Sequence, residues 1–439
     1  MKNSRFIIYL LGINGLLLSA FYYVDKSPKP KDKKIATTTK AKGCVFKTVM
    51  GEDSLDPNFY KYQSSEKVLA SLQHGLQWVA SAQQSDGGWG AGSHSNQQEM
   101  NPHAVKTDPA TTSMVAMALL RTGNTLTSGP QSSRLNKALQ YLLVAVETAP
   151  KGSSNITKET GTQIQIKLGA NIDVILTAQF LSNVMDYLDH DAKLKARIAR
   201  GLNTCVEKIQ HAQDTDGSIK GSGWAGVLQS SFANNALESA QSKGIKVDSV
   251  ILEKSRDYQK GNYNTSTGDV KTEKGAGVIL YSVSGSTRAS AKEARKVEEE
   301  IRKAKHEGKL NNEDAVNAQS LEKLGYSKTD ALKYSTSYNV YQAGKQVAQS
   351  NEVLTGFGNN GGEEFLSFLQ TGESLIIGKD SSWKKWYSTT SGSLLAIQNE
   401  DGSWNGHHCI TSPAFCTATC LLILSVNNDV EKLVEMGAK

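Results

Sequence analysis

The feature that most constrains this chain is a motif present in three copies. Gly75-Leu-Gln-Trp78-Val-Ala-Ser-Ala-Gln83 runs into Gln-Ser-Asp86-Gly87-Gly-Trp89, and Leu394-Leu-Ala-Ile-Gln398 runs into Asn-Glu-Asp401-Gly402-Ser-Trp404. Between them, Gln210-His-Ala-Gln213 runs into Asp-Thr-Asp216-Gly217-Ser, with Ile219 in the place of Trp and Trp224 shortly after. Each copy reads as a helix, a Gln, an Asp-Gly turn and then a Trp. Gly at such a turn tolerates positive φ. The Gln amide can bond the next helix terminus and the Trp ring can cover it, so Trp89, Trp224 and Trp404 are assigned to the turns. Units repeated in this way bury their apolar faces against their neighbours.

A second helix with a matching start follows the turn. Thr107-Asp108-Pro109-Ala110 precedes Thr-Thr-Ser-Met-Val-Ala-Met-Ala-Leu-Leu120, and Thr411-Ser412-Pro413-Ala414 precedes Phe-Cys-Thr-Ala-Thr-Cys-Leu-Leu-Ile-Leu424. Asp and Ser are strong N-caps, and Pro suits the first helical position. These helices are small-residue-rich and almost uncharged, which predicts burial on most sides, whereas Leu72–Gln83 before the turn is amphipathic. Outer amphipathic and inner buried helices in alternation close into an all-α, α/α toroid.

The stretch His74-Gly75-Leu-Gln-Trp78-Val-Ala-Ser-Ala-Gln83-Gln-Ser-Asp-Gly87-Gly-Trp89 resembles the QW repeat of squalene and terpene cyclases, departing only at His74, where that pattern has Lys or Arg. The resemblance implies the terpenoid cyclase/protein prenyltransferase toroid over roughly residues 65–290 and 350–430. It is weak for activity, because one fold hosts unrelated functions. A cyclase of this kind implies an Asp-x-Asp-Asp string that protonates an alkene, and that string is absent. Asp214-Thr-Asp216 is nearest to it but sits in a repeat turn. Asp108 is a candidate acid whose simpler role is an N-cap, and Asp173 precedes Thr177-Ala178 on another inner helix. Carbocation chemistry also needs aromatic faces, and the inner helices offer few: Phe180, Phe232, Tyr281 and Phe415.

Prenyltransferases of the same resemblance hold zinc with Asp, Cys and His from inner-helix starts. Gly406-His407-His408-Cys409 falls in a comparable place, making His408 and Cys409 weak metal candidates and His407 and His408 candidate site residues. Zinc takes about four ligands in tetrahedral array, and three adjacent residues converge poorly. No cofactor is therefore predicted. Cys416 and Cys420 are expected as core packing residues. In Gly358-Asn-Asn-Gly361-Gly362-Glu363-Glu364-Phe365, Glu363 and Glu364 are further candidates, placed to cap a helix at its positive end. The rim between Trp404 and Ser412 is the expected ligand site, with Glu363, Glu364 and Asp108 as neighbours.

Residues 288–346 break the repeat. Between Ala291 and Leu310 twelve of twenty residues are charged, with Ala294, Val297, Ile301 and Ala304 as a narrow seam. Ser327 and Asp330 cap the helix that follows, which places Tyr334, Tyr338 and Tyr341 on one face. We expect an inserted helical hairpin projecting from the toroid, either packed on its own body or serving as a docking arm for an envelope protein.

Phe6–Val24 is an uncharged run of 19 residues, just long enough for a membrane helix. The rival reading is a signal peptide, for which Leu18-Ser19-Ala20 is a poor cleavage site. The expected order is anchor or signal segment 1–24, tether 25–60, toroid 61–287, charged insertion 288–346 and toroid 347–439. The predicted location is a single-pass N-terminal anchor with the body exported. Lys and Arg outnumber acids in residues 1–42, but the remainder is nearly neutral, which argues against nucleic acid as a partner. The preferred function is a membrane-tethered binding or scaffold component of the cell envelope, with a hydrophobic small-molecule ligand. The alternatives are a terpene cyclase or prenyltransferase acting on an isoprenoid, and a polysaccharide hydrolase or lyase on the same fold.

Overall fold

The computed structural model describes residues 58–188 and 191–438. The predicted anchor over 6–24, most of the tether and Cys44 lie outside the described residues. Among those described, no helix is long and apolar enough to cross a membrane, and the only extended pairings are isolated bridges such as Gln213–Ile219.

Numbering the longer helices along the chain, α1 (Glu66–Ser81), α3 (Ser132–Thr148), α5 (Ala192–Ala212), α7 (Ser249–Lys260), α9 (Lys328–Ala348) and α11 (Trp383–Ala396) are outer. Alternating with them, α2 (Pro109–Arg121), α4 (Ile172–Val184), α6 (Gly226–Ser242), α8 (Ile279–His306), α10 (Gly362–Ile377) and α12 (Pro413–Leu424) are inner. Each inner helix packs on the next, and α12 closes back on α2, which makes the ring. A last helix, α13 (Val430–Ala438), packs on α8 and α10. The burial follows the sequence pattern. Every residue of α10 and α12 is buried, while α1 buries Val68, Ser71, Leu72, Gly75 and Val79 on one stripe.

The repeat motif is what closes the ring. Gly87, Gly217 and Gly402 have φ of 92°, 90° and 93°. A Cβ there would stand 2.8 Å from Lys137 O, 2.2 Å from Lys254 O and 2.7 Å from His74 O. Each turn therefore presses on the following outer helix, and the last presses on α1. The Gln side chains make the same connection. Gln83 Nε2 donates to Arg134 O (3.0 Å), Gln213 Nε2 to Ile251 O (2.8 Å) and Gln398 Nε2 to Ser71 O (3.1 Å). Trp89 and Trp404 are buried, their indole N–H groups donating to Val79 O (2.8 Å) and Leu394 O (2.9 Å) in the preceding outer helix. In the middle copy the buried Ile219 takes this place.

Trp224 departs from the expectation that it belongs to a turn. It is 62% exposed, because the Gly221-Ser222-Gly223 segment after Ile219 pairs with the loop before α4 instead, Ala170 N donating to Gly221 O (2.8 Å) and Gly223 N to Leu168 O (3.1 Å).

The charged segment 288–346 is placed in two ways. Its proximal part is in the ring: α8 runs unbroken from the inner ring into the segment, and α9 is the outer helix of that repeat. A Cβ on Gly344 would lie 2.4 Å from Thr287 Oγ1, Tyr341 is 1% exposed, and Arg295 donates to Val434 O (2.6 Å) and Ile377 O (3.3 Å). The distal part is a hairpin with its own small core of Val297, Ile301, Ala304, Leu310, Leu321 and Ala331. Local charge density disguised α9 as an insertion because the outer face of a toroid is solvated anyway.

Candidate functional site

The inner helices begin at one rim, and side chains cross between neighbours to hold their N-termini. Asp108 caps α2, its Oδ1 accepting from Thr111 N (2.7 Å) and its Oδ2 from Ala91 N (2.7 Å) and Thr111 Oγ1 (3.0 Å). Asp173 reaches across from α4, accepting from Ala110 N (3.1 Å), Gln165 Nε2 (2.7 Å) and Asn155 Nδ2 (3.1 Å). Two fully buried carboxyls thus serve one helix start. Burial, then the charge of Asp173, pushes Asp108 up to about 7, and burial raises Asp173 as well. Every oxygen of the pair accepts a hydrogen bond from the protein, so both residues are occupied in holding α2. Gln163 holds α12 in the same manner, its Oε1 accepting from Thr411 N (2.8 Å) and Ser412 N (3.1 Å), while its buried Nε2 has no partner.

Further round the rim, Glu363 and Glu364 open α10. Glu364 Oε2 accepts from Gly358 N (3.1 Å) and Asn360 N (3.3 Å), which ties down the preceding loop. Glu363 Oε2 accepts from Ile410 N (3.3 Å) and lies within reach of the Cys409 thiol. Burial pushes both carboxyls up to about 7, so each is a proton donor near neutral pH. The backbones approach closely here: a Cβ on Gly361 would stand 2.3 Å from His408 O.

Cys409 is the half-exposed thiol of this group and adopts φ of 67°, a left-handed conformation rare for a side chain of its kind. Burial and the charge of Glu363 raise its pKa, and Lys167 lowers it. Lys167, at the end of the short helix Gln163–Lys167, is 4% exposed. Its ammonium stands 3.9 Å from the centroid of the Trp224 ring, a cation–π contact. His94 also lies by the indole, ring centroids 6.3 Å apart. Tyr281, on the first turn of α8, is buried nearby, its hydroxyl pKa raised by burial and then by Glu363, Glu364 and Cys409.

The structure therefore brings together Glu363, Glu364 and Cys409 of the predicted residues, with Asp108 in a separate cluster. His407 and His408 are exposed, and His408 Nδ1 lies 3.0 Å from Cys409 Sγ. Among the described residues no group of three or more His, Cys, Asp or Glu could hold a metal, so the His408 and Cys409 pair does not meet the ligand set zinc requires. Cys416 and Cys420 are fully buried in α12 as packing residues. Sequence reading missed Lys167, Trp224, Tyr281 and Gln163 as site residues. The one local signal was Lys167 closing the alternating Gln163-Ile-Gln-Ile-Lys run.

The interior of the ring is filled. Phe180, Phe232, Tyr281 and Phe415 are all buried. A cavity of about 30 Å³ remains toward the far end, lined by Met114, Met117, Gln179, Phe232 and Leu369 among others. Arg121 closes that end, bonded to Glu373 (2.6 Å) and Asp429 (2.7 Å).

Residues 60–165 match the squalene-hopene cyclase C-terminal domain family. Among solved structures, a variant of the type II terpene cyclase MstE from Scytonema, in complex with its substrate geranylgeranyl dihydroxybenzoate, is similar at 10% identity with a TM-score of 0.43, covering 83% of this chain and 98% of that one. No curated protein matches the chain in sequence.

Proposed function

Starting from a terpenoid cyclase-like α/α toroid, we propose that this protein binds a hydrophobic small molecule of the isoprenoid class at the rim where its inner helices begin, with Glu363 as the proton donor of the site. The observation that carries the reading is Glu363 itself. It is a buried carboxyl held up to about 7, beside the Cys409 thiol and the Lys167 ammonium. Trp224, whose ring meets Lys167, is 62% exposed, and Ile279, at the start of α8, is exposed too. Exposed apolar side chains gathered at one rim mark a binding surface.

A ligand of this class lies on the rim and not within the ring. Sites for drug-sized molecules occupy ~300–1,000 Å³, whereas the interior cavity is about 30 Å³. A cyclase reaction is the second reading. It is supported by the family match over 60–165 and by a protonated buried acid, and the filled interior weighs against it. The polysaccharide reading would use Trp224 as a sugar platform but needs two carboxyls facing one cleft, and Glu364 is turned to its own loop. An anchor over 6–24 with an exported body fits the proposal, since isoprenoids concentrate in the bilayer. A scaffold role through 288–346 would fall to the distal hairpin alone.

Calorimetric titration of the full chain with geranylgeraniol tests the reading. Saturable binding is expected, weakened at least tenfold in Trp224→Ala at a temperature where circular dichroism shows that variant folded. Chromatography of the recovered ligand separates binding from turnover: a rearranged product that Glu363→Gln abolishes establishes the cyclase. Absence of binding overturns the proposal.

A further inference from the structure

The opposite rim holds a cleft of about 280 Å³ between α6, α7, α8, the end of α10 and α13, lined by Glu238, Gln241, Arg256, Arg288, Lys292 and Ile377 among others. Three cations face one carboxylate. Glu238 Oε1 accepts from Arg256 Nε (2.8 Å) and its Oε2 from Arg288 Nη1 (3.3 Å). Burial pushes the Glu238 carboxyl up, but the two guanidinium groups outweigh it and hold it below its ordinary value, so it is ionised. Glu293, the next carboxylate, is engaged by Lys260 at 3.1 Å.

Glu238 is the one carboxylate of the lining, and Arg256 and Arg288 share it. Arg288 is 3% exposed and its Nε–H is buried without a partner. A buried unsatisfied donor is destabilising, and more so when the group is charged. Lys292 makes no ion pair among the described residues; burial, with Arg256 and Arg288, holds its ammonium below its ordinary value against the opposing charges of Glu238 and Glu293.

We infer that this cleft is a binding site for a phosphate monoester, with Lys292 as the principal donor and the Arg256 and Arg288 guanidinium groups beside it. A phosphate dianion answers the surplus of cations over carboxylates in the lining, and its oxygens suit Arg and Lys donors. The cleft is larger than the anion alone, which leaves room for the organic group that carries it. Gln241, at the end of α6, offers an amide to that group. The site is separate from the Glu363 rim and stands or falls independently of it.

Calorimetry of the full chain with inorganic phosphate near pH 7 is the test. Saturable binding is expected, weakened at least tenfold in Lys292→Met and less in Lys292→Gln, which keeps a donor. The melting temperature without phosphate should be unchanged in both, since Lys292 has no partner to lose. Glycerol phosphate and dihexanoyl phosphatidic acid then identify the source: tighter binding of the first supports a soluble ester, and of the second a lipid headgroup. Failure of all three to bind, or Lys292→Met binding phosphate as the parent does, overturns the inference.

Discussion

Lys167 Nζ stands 3.9 Å from the centre of the Trp224 ring, and this contact explains two features of the rim together. It gives a buried ammonium a neutral partner that does not quench its charge, so Lys167 still acts on Cys409 and Glu363. It also holds the ring of a largely exposed indole against that ammonium, seven residues after Gly217.

Thiol chemistry at Cys409 should report on this arrangement. Lys167 lowers the thiol pKa and Glu363 raises it. Lys167→Met should therefore slow alkylation of Cys409 by iodoacetamide at pH 8, and Glu363→Gln should accelerate it, each by ~3–10-fold, since one pKa unit is a factor of ten in thiolate. Peptide mass spectrometry at Cys409 reads the rate. Equal rates in the two variants would show that neither side chain reaches the thiol.

Stability should fall as pH rises from about 5 to 8. Asp108, Glu363 and Glu364 are each raised to about 7, and Asp173 is raised too. A carboxyl raised on folding binds more protons in the native state than in the unfolded chain, which makes stability decrease with pH between the unfolded and folded values. Carboxyls lowered on folding, such as Asp380 and Glu238, act in the opposite sense below the ordinary carboxylate range. Thermal melts across pH 5–8 should show the negative slope, reduced in Glu364→Gln.

The repeat turns should be the most sensitive points of the fold. Trp89→Ala removes a buried ring and leaves Val79 O without its indole donor, and is expected to cost ~3–5 kcal/mol. Gly402→Ala combines a left-handed φ of 93° with a Cβ 2.7 Å from His74 O. It should destabilise by more than the ~1–2 kcal/mol of the dihedral alone. Denaturant titration gives both values, and a Gly402→Ala protein as stable as the parent would mean the ring does not close on α1.

Truncation should divide the charged segment at its structural seam. Replacing residues 302–327 by a short linker removes the tip of the distal hairpin and should leave cooperative unfolding near the parent temperature. Deleting 290–345 removes Arg295, Tyr341 and Gly344 from the body and should abolish it. Circular dichroism melts of the two proteins distinguish a helix of the ring from an appendage.

Sequence alone determined the outer and inner alternation, the caps at Asp108 and Ser412, and the turns at Gly87, Gly217 and Gly402, because periodicity, capping and positive φ are set by neighbours in the chain. It located the rim near Cys409 and named Glu363, but not what gives either residue its chemistry. The burial that raises Glu363 and the charge of Lys167 come from segments about two hundred residues apart, and Asp173 caps a helix 63 residues before it. The exposure of Trp224, the place of α9 in the ring and the filling of its interior were likewise decided by tertiary structure. Each depends on how distant helices meet when the ring closes, and no local pattern encodes that meeting.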